Sequence, residues 1–99
     1  MSDITVIMAN KERLSLTSIE NSPQAFEDVV GGPVDLLNFY KDGYKLVCHI
    51  EEGYNLYYNH IRPKRPFFVV KFESDFKSLT DAEAKEVKEA LREKMKKWH

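Results

Sequence analysis

From Ile4 to Met8 the chain is rich in β-branched residues. Apolar positions return at Leu14, Leu16 and Ile19 after the polar Asn10, Lys11 and Glu12, a pattern that predicts a strand, a turn and a second strand. Ser22 then stands where an N-cap accepts a hydrogen bond from the next turn, and Pro23 takes the first helical position, where its missing N–H costs nothing. The short helix that starts there places Ala25, Phe26, Val29 and Val30 on one side and stops at Gly31-Gly32, since glycine enters the left-handed conformation with which helices commonly end. Two turns of helix do not hold alone, so Phe26 and the valines must lie on a sheet.

Val34 to Tyr40 and Tyr44 to Ile50 flank Lys41-Asp42-Gly43-Tyr44, whose Asp-Gly centre suits a tight type I′ hairpin turn. That turn sets Phe39 opposite Leu46 and Leu37 opposite Cys48 on the expected core face, with Leu36 and His49, and Asn38 and Val47, on the other. Glu51-Glu52-Gly53 reads as another turn, Leu56 to Tyr58 as a short edge strand, and Phe67 to Phe72 as a central strand. Pro63 and Pro66 keep the last two apart. Near the end, Thr80 and Glu83 have capping-box spacing and Leu79 is placed to begin a hydrophobic staple. Ala84, Val87, Leu91, Met95 and Trp98 then recur at three and four residues, a stripe for packing on the sheet. Asp81 with Lys85 and Glu93 with Lys97 are expected opposite-charge pairs. The predicted class is α+β: one small domain over residues 1–99, built on a mostly antiparallel sheet of about five strands. A short helix follows the first hairpin and a longer amphipathic helix closes the chain.

Composition narrows the function classes. Ninety-nine residues leave room for one core, and 42% hydrophobic with 31% charged residues fits neither a disordered tail nor a membrane span. Fifteen Lys and Arg against sixteen Asp and Glu give a net charge of −1, which argues against a general polyanion binder. The single cysteine, Cys48, allows no internal disulfide and no multi-cysteine zinc site. With no secretion signal in the first residues, the expected location is cytoplasmic, and no cofactor or membrane partner is expected.

Three segments carry a resemblance. They are Phe26-Glu27-Asp28-Val29-Val30-Gly31-Gly32 before an apolar strand, Leu46-Val47-Cys48-His49-Ile50-Glu51-Glu52-Gly53 followed by Leu56 and Asn59, and Phe76-Lys77-Ser78-Leu79-Thr80-Asp81. In their order and spacing they resemble a family of short uncharacterised domains carried by bacteriophages, plasmids and other mobile elements. The resemblance implies origin, and a host-cell cytoplasm as the place of action, rather than a mechanism. This chain departs from the family pattern at Leu56-Tyr57-Tyr58-Asn59, which a basic insert follows.

The chemistry-bearing residues form no recognisable catalytic set. Cys48 and His49 are neighbours on a strand and point to opposite faces, so they do not serve one centre, and Cys48 reads as core. His49, Glu51 and His60 would make a metal site only by chance convergence, since they lack a motif spacing. Glu51-Glu52 beside Gly53 reads as a solvated turn, and the glycine pairs lack a phosphate-loop pattern. Charge is uneven, however. Leu14 to Tyr40 holds Glu20, Glu27, Asp28 and Asp35 with no Lys or Arg, whereas Tyr54 to Phe72 holds Arg62, Lys64, Arg65 and Lys71 with no acid. The predicted contact site is therefore Tyr57, Tyr58, His60, Arg62, Lys64 and Arg65, beside Tyr54, a mixture of rings and cations suited to interaction surfaces. The plainer reading is that the arginines pair with the chain's own acidic segment while the tyrosines cover the sheet edge. The expected function is a non-enzymatic binding protein of a mobile element, a host-takeover or anti-defence factor occupying a host protein or defence component. The first alternative is a nucleic-acid or signalling-nucleotide module that takes an anionic ligand through the same segment. The second is a small metal-dependent enzyme. Either a monomer or a homodimer fits, because Leu56 to Tyr58 or the Trp98 end would pair two chains.

Overall fold

The computed structural model describes residues 3–11 and 13–99. Its centre is an antiparallel sheet of six strands, β1 (Asp3–Asn10), β2 (Arg13–Glu20), β3 (Val34–Asn38), β4 (Tyr44–His49), β5 (Phe67–Phe72) and the short β6 (Phe76–Lys77), in the order β2-β1-β5-β4-β3 with β6 added to β5. β1 (Asp3–Asn10) and β2 (Arg13–Glu20) form the expected first hairpin, in unbroken register from Asp3 opposite Glu20 to Asn10 opposite Arg13. Of the residues expected to turn the chain between them, Glu12 lies outside the described residues. α1 (Pro23–Val30) starts as its sequence requires, for the Ala25 N–H donates to Ser22 Oγ at 3.1 Å. It stops at Gly31, whose φ of 87° only glycine adopts without strain.

β5 (Phe67–Phe72) is the central strand that its apolar run predicts, lying between β1 and β4 (Tyr44–His49). Because helices cover both faces of the sheet, β5 is buried on both, and alternate residues feed two cores. On one face Val6, Val47, Phe68 and Val70 pack under Phe26 and Val30 of α1. Phe26 meets Phe68 and Phe76 edge to face, with ring centroids 5.1 and 5.0 Å apart. On the other face Ile7, Leu46, Cys48, Phe67 and Val69 lie under α3 (Asp81–Met95), whose stripe Ala84, Val87, Leu91 and Met95, continued by Trp98, is buried throughout. The capping box is present: the Glu83 N–H donates to Thr80 Oγ1 at 3.2 Å, and the Thr80 N–H returns a bond to Glu83 Oε1 at 3.0 Å. Glu93 meets Lys96 at 3.2 Å rather than the expected Lys97.

Two further expectations fail. The second hairpin is not closed by a type I′ turn. β3 (Val34–Asn38) pairs with β4 two residues out of the expected register, with Leu37 opposite Leu46, Leu36 opposite Val47 and Asp35 opposite Cys48. A slip of two keeps every side chain on its face, so the burial pattern alone does not distinguish the registers. What separates them is Phe39, which leaves the ladder and is buried in the core, with Tyr40 at φ 67° and Gly43 at φ 96° carrying the longer loop.

The second failure is larger. Ile50–Asn59 is a ten-residue helix, α2, where a turn at Glu51-Glu52-Gly53 and an edge strand at Leu56 to Tyr58 were expected. Its N-terminus is capped by a side chain not usual in that role, as His49 Nδ1 accepts the Glu51 N–H at 3.1 Å. Glu51 and Glu52 lie in the first turn, where the helix dipole favours acids. The acidic pair read as a turn is thus the start of a helix. α2 covers β3 and β4 on the α3 side, with Gly53 and Leu56 inward. Among the described residues no helix is long and apolar enough to cross a membrane.

Candidate protein-binding face on α2

The residues of α2 divide by helical position. Gly53 and Leu56 turn to the sheet, whereas Ile50, Tyr54, Tyr57 and Tyr58 fall within about 100° of arc on the solvent side at 100° per residue, and Ile61 lies just beyond the helix end. All five are exposed, at 52, 66, 53, 63 and 41% in chain order, values that set them apart from a buried stripe of the same spacing. The tyrosines touch each other: Tyr58 lies 4.7 Å from Tyr54 and 4.9 Å from Tyr57 between ring centroids, tilted in the first pair and edge to face in the second. Mutual packing restrains these rings while leaving their outer surfaces to water, a state that suits docking at low cost in side-chain entropy.

The cationic part of the predicted site behaves differently. His60 ends α2 in the left-handed conformation, φ 54°, and its N–H donates to Asn55 O. The next residues run beside the chain's end: the Arg62 N–H donates to His99 O at 3.0 Å and the His99 N–H to His60 O at 2.8 Å. Arg62 Nη2 donates to Met95 O at 3.1 Å, so this guanidinium caps α3. The Lys64 and Arg65 N–H groups donate to the two Glu52 carboxylate oxygens at 2.7 and 3.4 Å, and Arg65 Nη1 lies 3.6 Å from Glu51 Oε2. Around the recess of about 420 Å³ that these residues border, both signs of charge alternate. Its acids cancel much of the pull on an anion.

Of the six residues predicted as one surface, the structure therefore brings Tyr57 and Tyr58 together as an open face. Arg62 and Arg65 are given neighbours within the fold, and the Lys64 side chain is left exposed. His60 and Tyr57 also border a second cleft, against α3. The rings are open to solvent rather than laid over the sheet edge, and Arg65 reaches Glu51, an acid of α2 and not of the acidic segment Leu14 to Tyr40, while Arg62 donates to the Met95 carbonyl. Ile50 and Ile61 were missed. The signal for Ile50 was available as the spacing Ile50, Tyr54, Tyr57, which is helical once Gly53 is not taken as a breaker, whereas Ile61 lies past the helix end and has no such signal.

His49, Glu51 and His60 do not converge, and among the described residues no group of three or more His, Cys, Asp and Glu side chains is placed to hold a metal ion. Cys48 is buried. Burial, with the Asp35 and Glu52 carboxylates adding to it, pushes its thiol up to about 12, which leaves it without nucleophilic thiolate near neutrality. Compared with family models, curated proteins and solved structures, the chain matches none.

Proposed function

We propose that this chain is a non-enzymatic binding protein that docks a protein partner on the exposed row of α2. The observation that carries the reading is the cluster of Tyr54, Tyr57 and Tyr58 between Ile50 and Ile61, in mutual ring contact and open to solvent. Single exposed apolar residues need no explanation, but a contiguous exposed row does, and tyrosine is prominent among the residues that dominate binding energy. The proposed action is occupation of the partner. Lys64 and the Arg62 and Arg65 guanidinium groups act at the rim, where charge steers encounter more than it adds affinity. The resemblance to mobile-element proteins would make that partner a host component met in the host cytoplasm.

The test is a photo-cross-linking residue placed at position 58, with position 89 on α3 as the control, followed by identification of the joined protein. One protein captured at 58 and not at 89, and lost when Tyr54→Ser and Tyr58→Ser are combined in a chain that melts as before, is the expected result. Capture that survives the double substitution would place the contact elsewhere. If the bound species is instead nucleic acid, with affinity falling steeply as salt rises and on Lys64→Glu, the protein-docking reading is replaced by phosphate binding.

A further inference from the structure

At the end of the molecule where the C-termini of α2 and α3 meet, a cleft of about 360 Å³ opens over β3 and β4. Its floor and walls are Leu37, Phe39, Leu46, Leu56 and Trp98, and its volume falls in the range of about 300–1,000 Å³ usual for small-ligand sites. Asn38 and Tyr57 also line it, so polar groups make up a good part of the lining. Lys94 and His60 stand at the border, both exposed, and Lys94 makes no ion pair with a described residue although acids are abundant on its helix. A second feature lies in the wall. Trp98 is 93% buried by its 7% exposure, and its Nε1 is the one buried side-chain polar atom among the described residues that has no hydrogen-bond partner. Buried donors are nearly always satisfied, so the indole N–H has capacity for a hydrogen bond beyond those made within the described residues.

We infer that this cleft binds a small amphipathic anion, an alkyl or aryl carboxylate whose apolar body lies on Leu37, Phe39 and Leu46 and whose head group meets Lys94. Apolar walls alone would accept any oily molecule. The charge at the border selects an anionic end, because a carboxylate held by an ammonium beside an apolar wall gains a charge-assisted hydrogen bond that an alcohol or amide does not. Tyr57 borders both the cleft and the α2 face, but the cleft is tested at Lys94 and Leu37 and the face at Tyr54 and Tyr58, so either proposal can fail alone.

Trp98 is the single tryptophan, so it reports on its own cleft both through its emission and through one indole N–H resonance. The probes are decanoate and the neutral decan-1-ol, titrated into the full chain and into Lys94→Gln and Leu37→Phe. The expected result is a saturable shift of the indole N–H resonance with decanoate, weakened about tenfold by Lys94→Gln, the scale of one charge-assisted hydrogen bond. Lys94→Gln leaves decan-1-ol binding unchanged, and Leu37→Phe, which fills the floor, weakens both probes. No saturable indole shift in the unsubstituted chain would overturn the inference, as would decanoate affinity indifferent to Lys94→Gln, or shifts confined to residues remote from Trp98. All three proteins melt alike if the substitutions act on the site alone, and thermal unfolding of each accompanies the titration. Should Leu37→Phe fail to fold, Lys94→Gln, on an exposed position, still decides.

Discussion

Replacing Gly53 by alanine is the sharpest probe of α2, because helix propensity and packing pull in opposite directions there. Glycine to alanine inside a helix gains about 1 kcal/mol from propensity alone. A Cβ on Gly53, however, would stand 3.1 Å from Asp35 Cβ and 3.0 Å from its Cγ, with Oδ2 nearer still. Rotating the carboxylate clears only its outer atoms, since Asp35 Cβ is rooted in β3, opposite Cys48. Overpacking of this kind costs about 1–3 kcal/mol, so the net effect runs from about neutral to a loss of about 2 kcal/mol. For a domain of this size that lowers the melting temperature by roughly 4–8 °C per kcal/mol. In an Asp35→Ala background the carboxyl group is gone while Cβ stays, so one tight contact of 3.1 Å remains and the same Gly53→Ala becomes about neutral. The two sites therefore couple, by up to about 2 kcal/mol, in a double-mutant cycle. Urea unfolding followed by Trp98 emission, with far-ultraviolet dichroism as a second probe, measures all four proteins. Stabilisation by Gly53→Ala in the native background, or effects that add to within about 0.3 kcal/mol, would show that α2 does not lie on Asp35.

Cys48 should resist thiol reagents at pH 8, where a group at about 12 is ionised to about one part in ten thousand; labelling then reports unfolding, and rapid labelling of the native chain would contradict its burial. Glu83 accepts Lys71 Nζ at 2.6 Å, and this bond, with the Thr80 N–H, holds its carboxyl below the ordinary 4.5, while Glu83 in turn raises Lys71 above 10.5. Their contribution is complete between those ordinary values. It is lost as pH falls through the lowered Glu83 value or rises through the raised Lys71 value, so Glu83→Gln should flatten the acid limb of a melting-temperature profile measured from pH 7 to pH 3. Gly31→Ala meets open space apart from Arg65 Cδ at 3.9 Å, so its cost is the φ of 87° itself, about 1–2 kcal/mol in chemical denaturation. Thr80→Ala removes half of the capping box and should cost about 1 kcal/mol by the same measurement.

Where local chemistry and burial agree, the fold was legible. Ser22 with Pro23, and Thr80 with Glu83, announce helix starts because an orphan N–H needs an oxygen at a fixed spacing, and the structure fills both. The run Phe67 to Phe72 announces a strand buried on both faces, and it is the strand between β1 and β4. The β3–β4 register was not legible in the same way. The Asp-Gly pair favours a tight turn locally, but the core takes Phe39 out of the ladder, and a two-residue slip leaves no trace in an alternating pattern.

α2 escaped for a different reason, one that also explains why the tyrosines face water. Its inward side carries only Gly53 and Leu56 as buried residues, too little to register as an apolar stripe, while its outward side carries Ile50, Tyr54 and Tyr58 at intervals of four. Spacing alone cannot tell such a row from that of α3, where Ala84, Val87, Leu91 and Met95 are all buried. The difference arises from how near the helix lies to the sheet. Gly53 lets the α2 backbone settle against Asp35, and His49, held against Gly32 where a Cβ would stand 2.6 Å from its Nε2, caps the same end. A helix seated that closely needs few inward side chains and leaves its large ones no core to enter. The glycine that reads as a chain reversal is thus the residue that allows the helix to dock, and the open tyrosine face is a consequence of that docking. Displacing α2 from Asp35 should therefore change partner binding and stability together, whereas Tyr54→Ser with Tyr58→Ser should change binding alone.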